Sequence, residues 1–190
     1  MDVSEIREKP TNRKEIKSYY TPFAKRDDCF NWIADKIETS EKKEQAFIIY
    51  PLIEETEVSV AKTVLASFEE LKKKYFKDIP IIYLHGRMKD SEKNKILNDF
   101  KKKKYNVLVS TSVIEVGIDI QDATIMVIEN AERFGLAQLH QLRGRVGRSD
   151  KQSYCYAIPG IEVAKDSKAE ERLKYFSKHS SGFDVAEYDL

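Results

Sequence analysis

The stretch Gln138–Ser149, QLHQLRGRVGRS, places three arginines and two glycines within six consecutive positions. An ordinary helix does not favour this composition, because glycine inside a helix costs about 1 kcal/mol relative to alanine and neighbouring like charges repel. Guanidinium groups separated by glycines suit a site that holds several negative oxygens close together. The stretch therefore predicts an anion-binding site, and the rest of the chain has to identify the anion.

The amino-acid composition limits the kinds of protein and partner that have to be considered. The chain has 190 residues, of which 41% are hydrophobic, so one domain with a packed core is expected. Its 33 basic and 32 acidic residues nearly cancel, so any contact with nucleic acid must come from a local patch. Cys29 and Cys155 lie far apart and favour reduced, buried packing in a cytoplasmic protein. No apolar run reaches the roughly 18 residues of a membrane span, and the charged N-terminus is not a signal peptide.

Strand-like and helix-like segments alternate along the chain. The predicted strands are Lys17–Phe23, Ala46–Ile53, Ile79–His85, Tyr105–Ser110, Ala123–Glu129 and Ser153–Ile158. Helical spacing of apolar residues predicts helices over Arg26–Ile37, Val58–Tyr75 and Asp90–Phe100, and another from Ser167. This alternation indicates an α/β fold, a mostly parallel sheet with helices on both faces.

In such sheets, ligands bind beyond the carboxyl ends of the strands. The polar clusters of this chain fall there, at Pro51–Glu55, His85–Arg87, Ser110–Asp119 and Glu129–Gly135. We therefore expect one shared functional edge. Residues 1–16 are expected to be a linker, residues 17–160 the domain and residues 161–190 a helical tail. Because the last residues still look structured, we expect the chain to be a fragment of a longer protein.

The segment Gln141–Arg148, QLRGRVGR, resembles the QxxGRxGR motif of superfamily 2 helicases and translocases at every fixed position. The resemblance implies that two arginines reach across a cleft to nucleotide phosphates held by a neighbouring domain. Arg148 is then the arginine finger, Arg145 its γ-phosphate partner, and Gln141 orients both. Gly144 and Gly147 lie against the nucleotide in this assignment. The alternative is a basic helix end exposed at the surface.

The segment Ser110–Ile120, STSVIEVGIDI, resembles motif V of the same family. The resemblance implies that Thr111, with Ser110, contacts a nucleic-acid phosphate, and that Gly117 and Asp119 face the nucleotide. Alone the segment is weak evidence, because Ser-Thr before a helix is also an ordinary N-cap.

Further motifs narrow the resemblance to the RecG helicases. They are PLIEETE (Pro51–Glu57), YLHGRMKDSEK (Tyr83–Lys93), AERFGLAQLHQLRGRVGR and QSYCY, and the likeness runs from about Arg13 to the last residue. It implies a RecA-like domain of the P-loop-NTPase type, the second motor domain of an ATP-dependent DNA helicase. Such an enzyme remodels branched DNA, meaning stalled forks and Holliday junctions, in recombination and repair. Two alternatives stay open: a motor domain of the transcription-repair coupling factor, and a non-catalytic α/β module that binds nucleic acid.

The same resemblance implies that His85, Gly86 and Pro51 touch the DNA backbone, although a histidine hydrogen-bonded at a strand end is an equal alternative for His85. The lysine runs Lys72–Lys74 and Lys101–Lys104 fit solvated helix C-termini better than DNA contacts.

The chain lacks two motifs that a complete ATPase of this class carries. There is no G-x-x-x-x-G-K-[ST] loop to hold phosphates and no D-E-x-[DH] strand end to hold Mg²⁺. No metal-ligand spacing is present, so no metal is assigned to this chain. The resemblance implies that ATP and Mg²⁺ are held mainly by the first motor domain, and that this domain, a wedge domain and branched or duplex DNA are the partners. We expect the chain alone to be inactive.

Overall fold

The computed structural model describes residues 14–41, 43–52, 56–111 and 120–180. Six strands form one sheet, in the order β1-β6-β5-β2-β4-β3, and every neighbouring pair is parallel. The strands are β1 (Lys17–Tyr20), β2 (Gln45–Tyr50), β3 (Ile81–Leu84), β4 (Val107–Thr111), β5 (Ala123–Glu129) and β6 (Tyr154–Ile158). The helices are α1 (Arg26–Thr39), α2 (Glu57–Lys74), α3 (Asp90–Lys101), α4 (Leu136–Arg143) and α5 (Lys168–Lys178). The predicted α/β class is confirmed.

Two hydrophobic layers enclose the sheet because successive side chains of a strand point to opposite faces. In β2, Phe47 and Ile49 pack with residues of α3, α4 and α5, whereas Ile48 and Tyr50 pack with α1 and α2. All six residues of β2 are buried, as expected for a central strand of a parallel sheet covered on both sides.

Short polar signals set the helix ends. The Thr56 side chain caps α2 by accepting from the Ser59 N–H, and the Ser167 side chain caps α5 by accepting from the Glu170 N–H. Both Leu173 and Phe176 of α5 are fully buried in the layer that also holds α3 and α4. The helix predicted from Ser167 is therefore packed into the domain core over residues 168–178.

Some predicted strand ends were wrong. The first strand ends at Tyr20 and a 3₁₀ turn covers Phe23–Lys25, because Pro22 cannot donate a ladder hydrogen bond. The third strand covers only Ile81–Leu84, after Pro80. Both cysteines are free and buried, and burial raises the pKa of each thiol to about 12, which keeps them protonated.

Candidate functional site

Three adjacent strands end at one edge of the sheet with residues that were predicted to contact DNA. Ser110 and Thr111 end β4, whereas Pro51 directly follows β2 and His85 directly follows β3. Thr111 pairs with Tyr50 of β2, and Ser110 pairs with Leu84 of β3. Because neighbouring strands are about 4.8 Å apart, Pro51, Thr111 and His85 form a compact row at the carboxyl edge.

Several polar atoms in this row have no hydrogen-bond partner among the described residues. They are Ser110 Oγ, Thr111 Oγ1 and His85 Nδ1, and the two hydroxyl residues are almost completely buried. Leaving such a group without a partner costs about 1–3 kcal/mol. Burial and the neighbouring Arg87 cation lower the pKa of the His85 imidazole, so it is neutral at pH 7. Gly86 beside it is exposed. The row therefore contains polar groups whose hydrogen-bond partners do not lie among the described residues.

The arginine segment lies at the opposite edge. Helix α4 begins beyond the carboxyl end of β5 and ends at Arg143, and the chain then returns to the amino ends of the strands. Gly147 packs there against Ile16, which precedes β1, and near Ser153, which precedes β6. Its φ of +79° is in the left-handed region, which favours glycine.

A cleft of about 450 Å³ opens beside this segment. It is lined by Gly144, Gly147 and Arg148, together with Lys14, Ile16, Gln121, His140, Arg143, Val146 and Ser180. Gln141 and Arg145 are not among the lining residues; Gln141 is exposed and Arg145 is partly exposed. Gly117 and Asp119 lie outside the described residues. Of the predicted nucleotide-contacting residues, the structure thus brings Gly144, Gly147 and Arg148 to one cleft.

The first arginine of the motif has a different role from the other two. Arg143 is only 3% exposed, and it donates to the carbonyl oxygens of Phe176 at 2.9 Å and His179 at 2.8 Å. It also donates to Ser18 Oγ at 3.3 Å, and its guanidinium lies 4.2 Å from the centre of the Phe176 ring. The expectation that all three guanidinium groups serve an anion is therefore corrected, since Arg143 ties α4 to α5 and β1.

The two candidate surfaces are separated by the length of the strands, about 15 Å for five residues. The sequence analysis grouped the strand-end loops at one edge but did not place the arginines relative to them. It also missed Gln121, which lines the cleft. No residue pattern marks Gln121, because only folding brings it near the arginine motif.

Among the described residues, no group of three or more His, Cys, Asp or Glu side chains could hold a metal ion. In the part of the chain that the structure describes, no helix is long and apolar enough to cross a membrane.

Residues 28–150 match a family model described as the helicase conserved C-terminal domain. The chain belongs to this family. Over its full length this helicase domain is 43% identical to the ATP-dependent DNA helicase RecG of Thermotoga maritima and 44% identical to that of Aquifex aeolicus. The resemblance to RecG is therefore confirmed. The chain spans 24% of the length of each of these relatives.

Solved structures agree with the RecA-like fold of this helicase domain. A structure of RecG bound to a three-way DNA junction is 41% identical, with a TM-score of 0.77, and the match covers 96% of this chain and 23% of that one. Domain 2 of the DEAD-box helicase Mss116p, bound to an RNA duplex, is 17% identical, with a TM-score of 0.56, and the match covers 90% and 72% of the two chains. At that identity the second likeness shows the fold alone.

Proposed function

We propose that this chain is the second motor domain of an ATP-dependent DNA helicase that remodels branched DNA, such as stalled forks and Holliday junctions, in recombination and repair. The observation that carries the proposal is the separation of two surfaces on one rigid sheet. An arginine-lined cleft lies at the amino edge, and hydrogen-bond donors without partners among the described residues lie at the carboxyl edge. A motor domain needs such an arrangement, because it must contact nucleotide and DNA at the same time.

At the amino edge, Arg148 acts as the finger on the nucleotide that the first motor domain presents. Arg145 contacts the γ-phosphate and Gln141 orients the two guanidinium groups. Gly144, Gly147, Gly117 and Asp119 face the nucleotide, and the three glycines let the backbone approach it closely. A guanidinium stays protonated at every working pH, so it can neutralise the charge that spreads over the phosphate oxygens during transfer. ATP and Mg²⁺ are held mainly by the first domain, and the ion neutralises phosphate charge there.

At the carboxyl edge, Ser110 and Thr111 donate hydrogen bonds to DNA phosphates, and His85, Gly86 and Pro51 pack along the backbone. These contacts read no sequence, which suits an enzyme that moves along DNA and recognises branching. Closure on ATP draws the arginine edge towards the first domain, and hydrolysis removes that attraction and lets the cleft open. Each cycle moves the strand-end contacts along the duplex, and the motion is passed to a wedge domain of the same protein.

The test replaces Arg148 by alanine in the full-length helicase that carries this domain. We expect ATP turnover in the presence of branched DNA to fall by roughly 10³-fold or more, as for other arginine fingers, with DNA affinity nearly unchanged. The exposed Lys95→Ala is the control, because it removes one positive charge from the middle of α3, between the two edges. Turnover by Arg148→Ala equal to that of the control would contradict the finger assignment.

A second measurement tests the division of labour between domains. The 190-residue chain alone should hydrolyse no ATP with or without branched DNA, since it lacks both the phosphate-binding loop and the acidic Mg²⁺ motif. DNA-stimulated turnover by the chain alone would disprove the assignment of those functions to another domain.

A further inference from the structure

The Asp122 carboxylate joins two segments at the amino edge of the sheet. Its Oδ1 lies 3.0 Å from Lys151 Nζ, and its Oδ2 lies 3.0 Å from Lys103 Nζ. Its backbone carbonyl accepts from the Gln45 N–H at 3.1 Å, which fixes it to the start of β2. Partial burial opposes ionisation, but the hydrogen bonds from both lysines hold the pKa of Asp122 below its ordinary value. The carboxylate is therefore a fixed negative charge next to Gln121, which lines the arginine cleft.

Lys151 belongs to the loop that carries the finger. This arginine loop, residues 144–152, connects α4 to β6. Besides the Lys151–Asp122 pair, it is held by Gly147 packed on Ile16 and by Gln152, whose Nε2 donates to the Glu15 carbonyl at 2.7 Å. Lys151 lies three residues beyond Arg148, so its ion pair restrains the side of the loop that follows the finger.

We propose that Asp122 and Lys151 form a clamp that positions the arginine loop, and through it Arg148, for ATP hydrolysis. This inference rests on the proposed function. Gly147 packed on Ile16 restrains the loop before Arg148, and the Asp122–Lys151 pair restrains it after Arg148. A catalytic group misplaced by about 1 Å can lose two orders of magnitude in rate. Asp122 and Lys151 are positioning residues, since neither is assigned a contact with the nucleotide.

Loss of the clamp should lower the rate of ATP hydrolysis, whereas loss of an ordinary surface ion pair should not. Both side chains are about one third exposed, at 35% for Asp122 and 37% for Lys151, and exposed pairs contribute little to folding. Removing the pair should therefore leave the thermal unfolding midpoint almost unchanged. A loop that samples wrong positions instead lowers kcat, because the finger contributes mainly in the transition state, and the KM for ATP changes little.

The experiment uses the full-length helicase with Asp122→Asn, Lys151→Met and the double substitution. We expect each single variant to lower the kcat of DNA-stimulated ATP hydrolysis by about three- to tenfold, and the double variant to lower it no further, because both remove one interaction. Lys103→Met is the matched control: it removes the other ion pair of the same carboxylate but does not touch the arginine loop. Its kcat should equal that of the unchanged enzyme.

Two outcomes would overturn the clamp. One is unchanged kcat in Asp122→Asn and Lys151→Met; the other is an equal loss in Lys103→Met, which would indicate a general effect of the charge cluster. Measuring Arg148→Ala in the same experiment distinguishes a failure of the clamp proposal from a failure of the proposed function. If Arg148→Ala is inactive while the clamp variants are normal, only the clamp is wrong; if Arg148→Ala is normal, the finger itself is wrong.

Discussion

Gly147 shows how one residue fixes the conformation of the arginine loop. Its left-handed backbone turns the chain between Arg145 and Arg148, and a Cβ atom at this position would lie 2.8 Å from Cγ1 of Ile16. Both the backbone angle and the close approach require glycine. The motif glycine at position 144 differs, because it has an ordinary right-handed conformation, with φ of −68°.

We expect Gly147→Ala to lower the free energy of unfolding of the chain by about 2 kcal/mol or more, since a left-handed alanine costs 1–2 kcal/mol before the steric clash is added. Gly86→Ala is the control, because a Cβ atom added there would meet no atom within 4 Å and the φ of Gly86 is not positive. Denaturant unfolding of the two variants measures the difference. Equal midpoints would mean that the loop adapts at no cost.

The arginines also show that the role of a single residue cannot always be predicted from the sequence. The spacing of the motif identified Arg145 and Arg148 as candidates; Arg143 stands at a variable position of the motif, which therefore assigns it no role. The role of Arg143 depends on carbonyl groups at Phe176 and His179, which are distant in sequence and leave no pattern. A guanidinium that is buried against carbonyl oxygens looks the same in a sequence as one that is exposed for a phosphate.

Among the elements, α5 is held to the edge strand β1 by a small polar cluster. Glu170 accepts from Tyr20 OH at 2.7 Å and from the Asp166 N–H at 3.2 Å, and Lys174 Nζ lies 3.0 Å from it. The hydrogen bonds from Tyr20 and Lys174 lower the pKa of Glu170 to about 2. The ionised carboxylate is therefore a restraint on how α5 packs.

The lowered pKa of Glu170 determines how the stability of the fold depends on pH. Because the folded-state pKa lies below the ordinary value of 4.5, the stabilisation is present above pH 4.5 and is lost as the pH falls towards about 2. Glu170→Gln should be less stable than the unchanged chain near neutral pH, and the difference should shrink over this range. Glu171→Gln, on the exposed side of α5, is the control. A difference that stays constant from pH 6 to 2 would disprove the assignment.

Most elements could be predicted from local patterns. The strand Ala123–Glu129 has its predicted bounds, because a run of buried apolar residues in a central strand is a strong signal. The first strand was predicted too long, since a short edge strand has only four residues and its end depends on pairing with β6. The order of the strands could not be predicted from periodicity, which describes each strand alone and not its neighbours.

On the scale of the whole molecule, the sheet separates the arginine cleft at its amino edge from the row of polar residues at its carboxyl edge. That separation allows each surface to be altered alone. It could not be predicted from the motifs, because their spacing along the chain does not say to which end of a strand each segment returns.

Thr111→Val tests the proposal that the strand-end row at the carboxyl edge contacts DNA. In the full-length helicase we expect the affinity for branched DNA to fall roughly tenfold, the value of one hydrogen bond to a charged group. The fold should not be destabilised, because Thr111 Oγ1 has no partner among the described residues.

Thr124→Val is the matched control. Thr124 is also buried, but its hydroxyl donates to Glu44 Oε1 at 3.2 Å. This variant should therefore lose about 1 kcal/mol of stability and keep its DNA affinity. Thermal unfolding and DNA titration distinguish the two; a loss of stability in Thr111→Val with normal DNA binding would show that the hydroxyl is structural.

The position of β1 has a consequence for how the chain folds during synthesis. Its described strand partner is β6, so the first of the described strands pairs with the last of them. Until the ribosome has released β6, the two tyrosines of β1 have no neighbouring strand to pack beside. Contacts over such distances form slowly, because a long loop must close before they stabilise anything. The β1 segment is therefore the part of the nascent domain that waits longest for its native neighbours, and the part most exposed to wrong pairing with other chains.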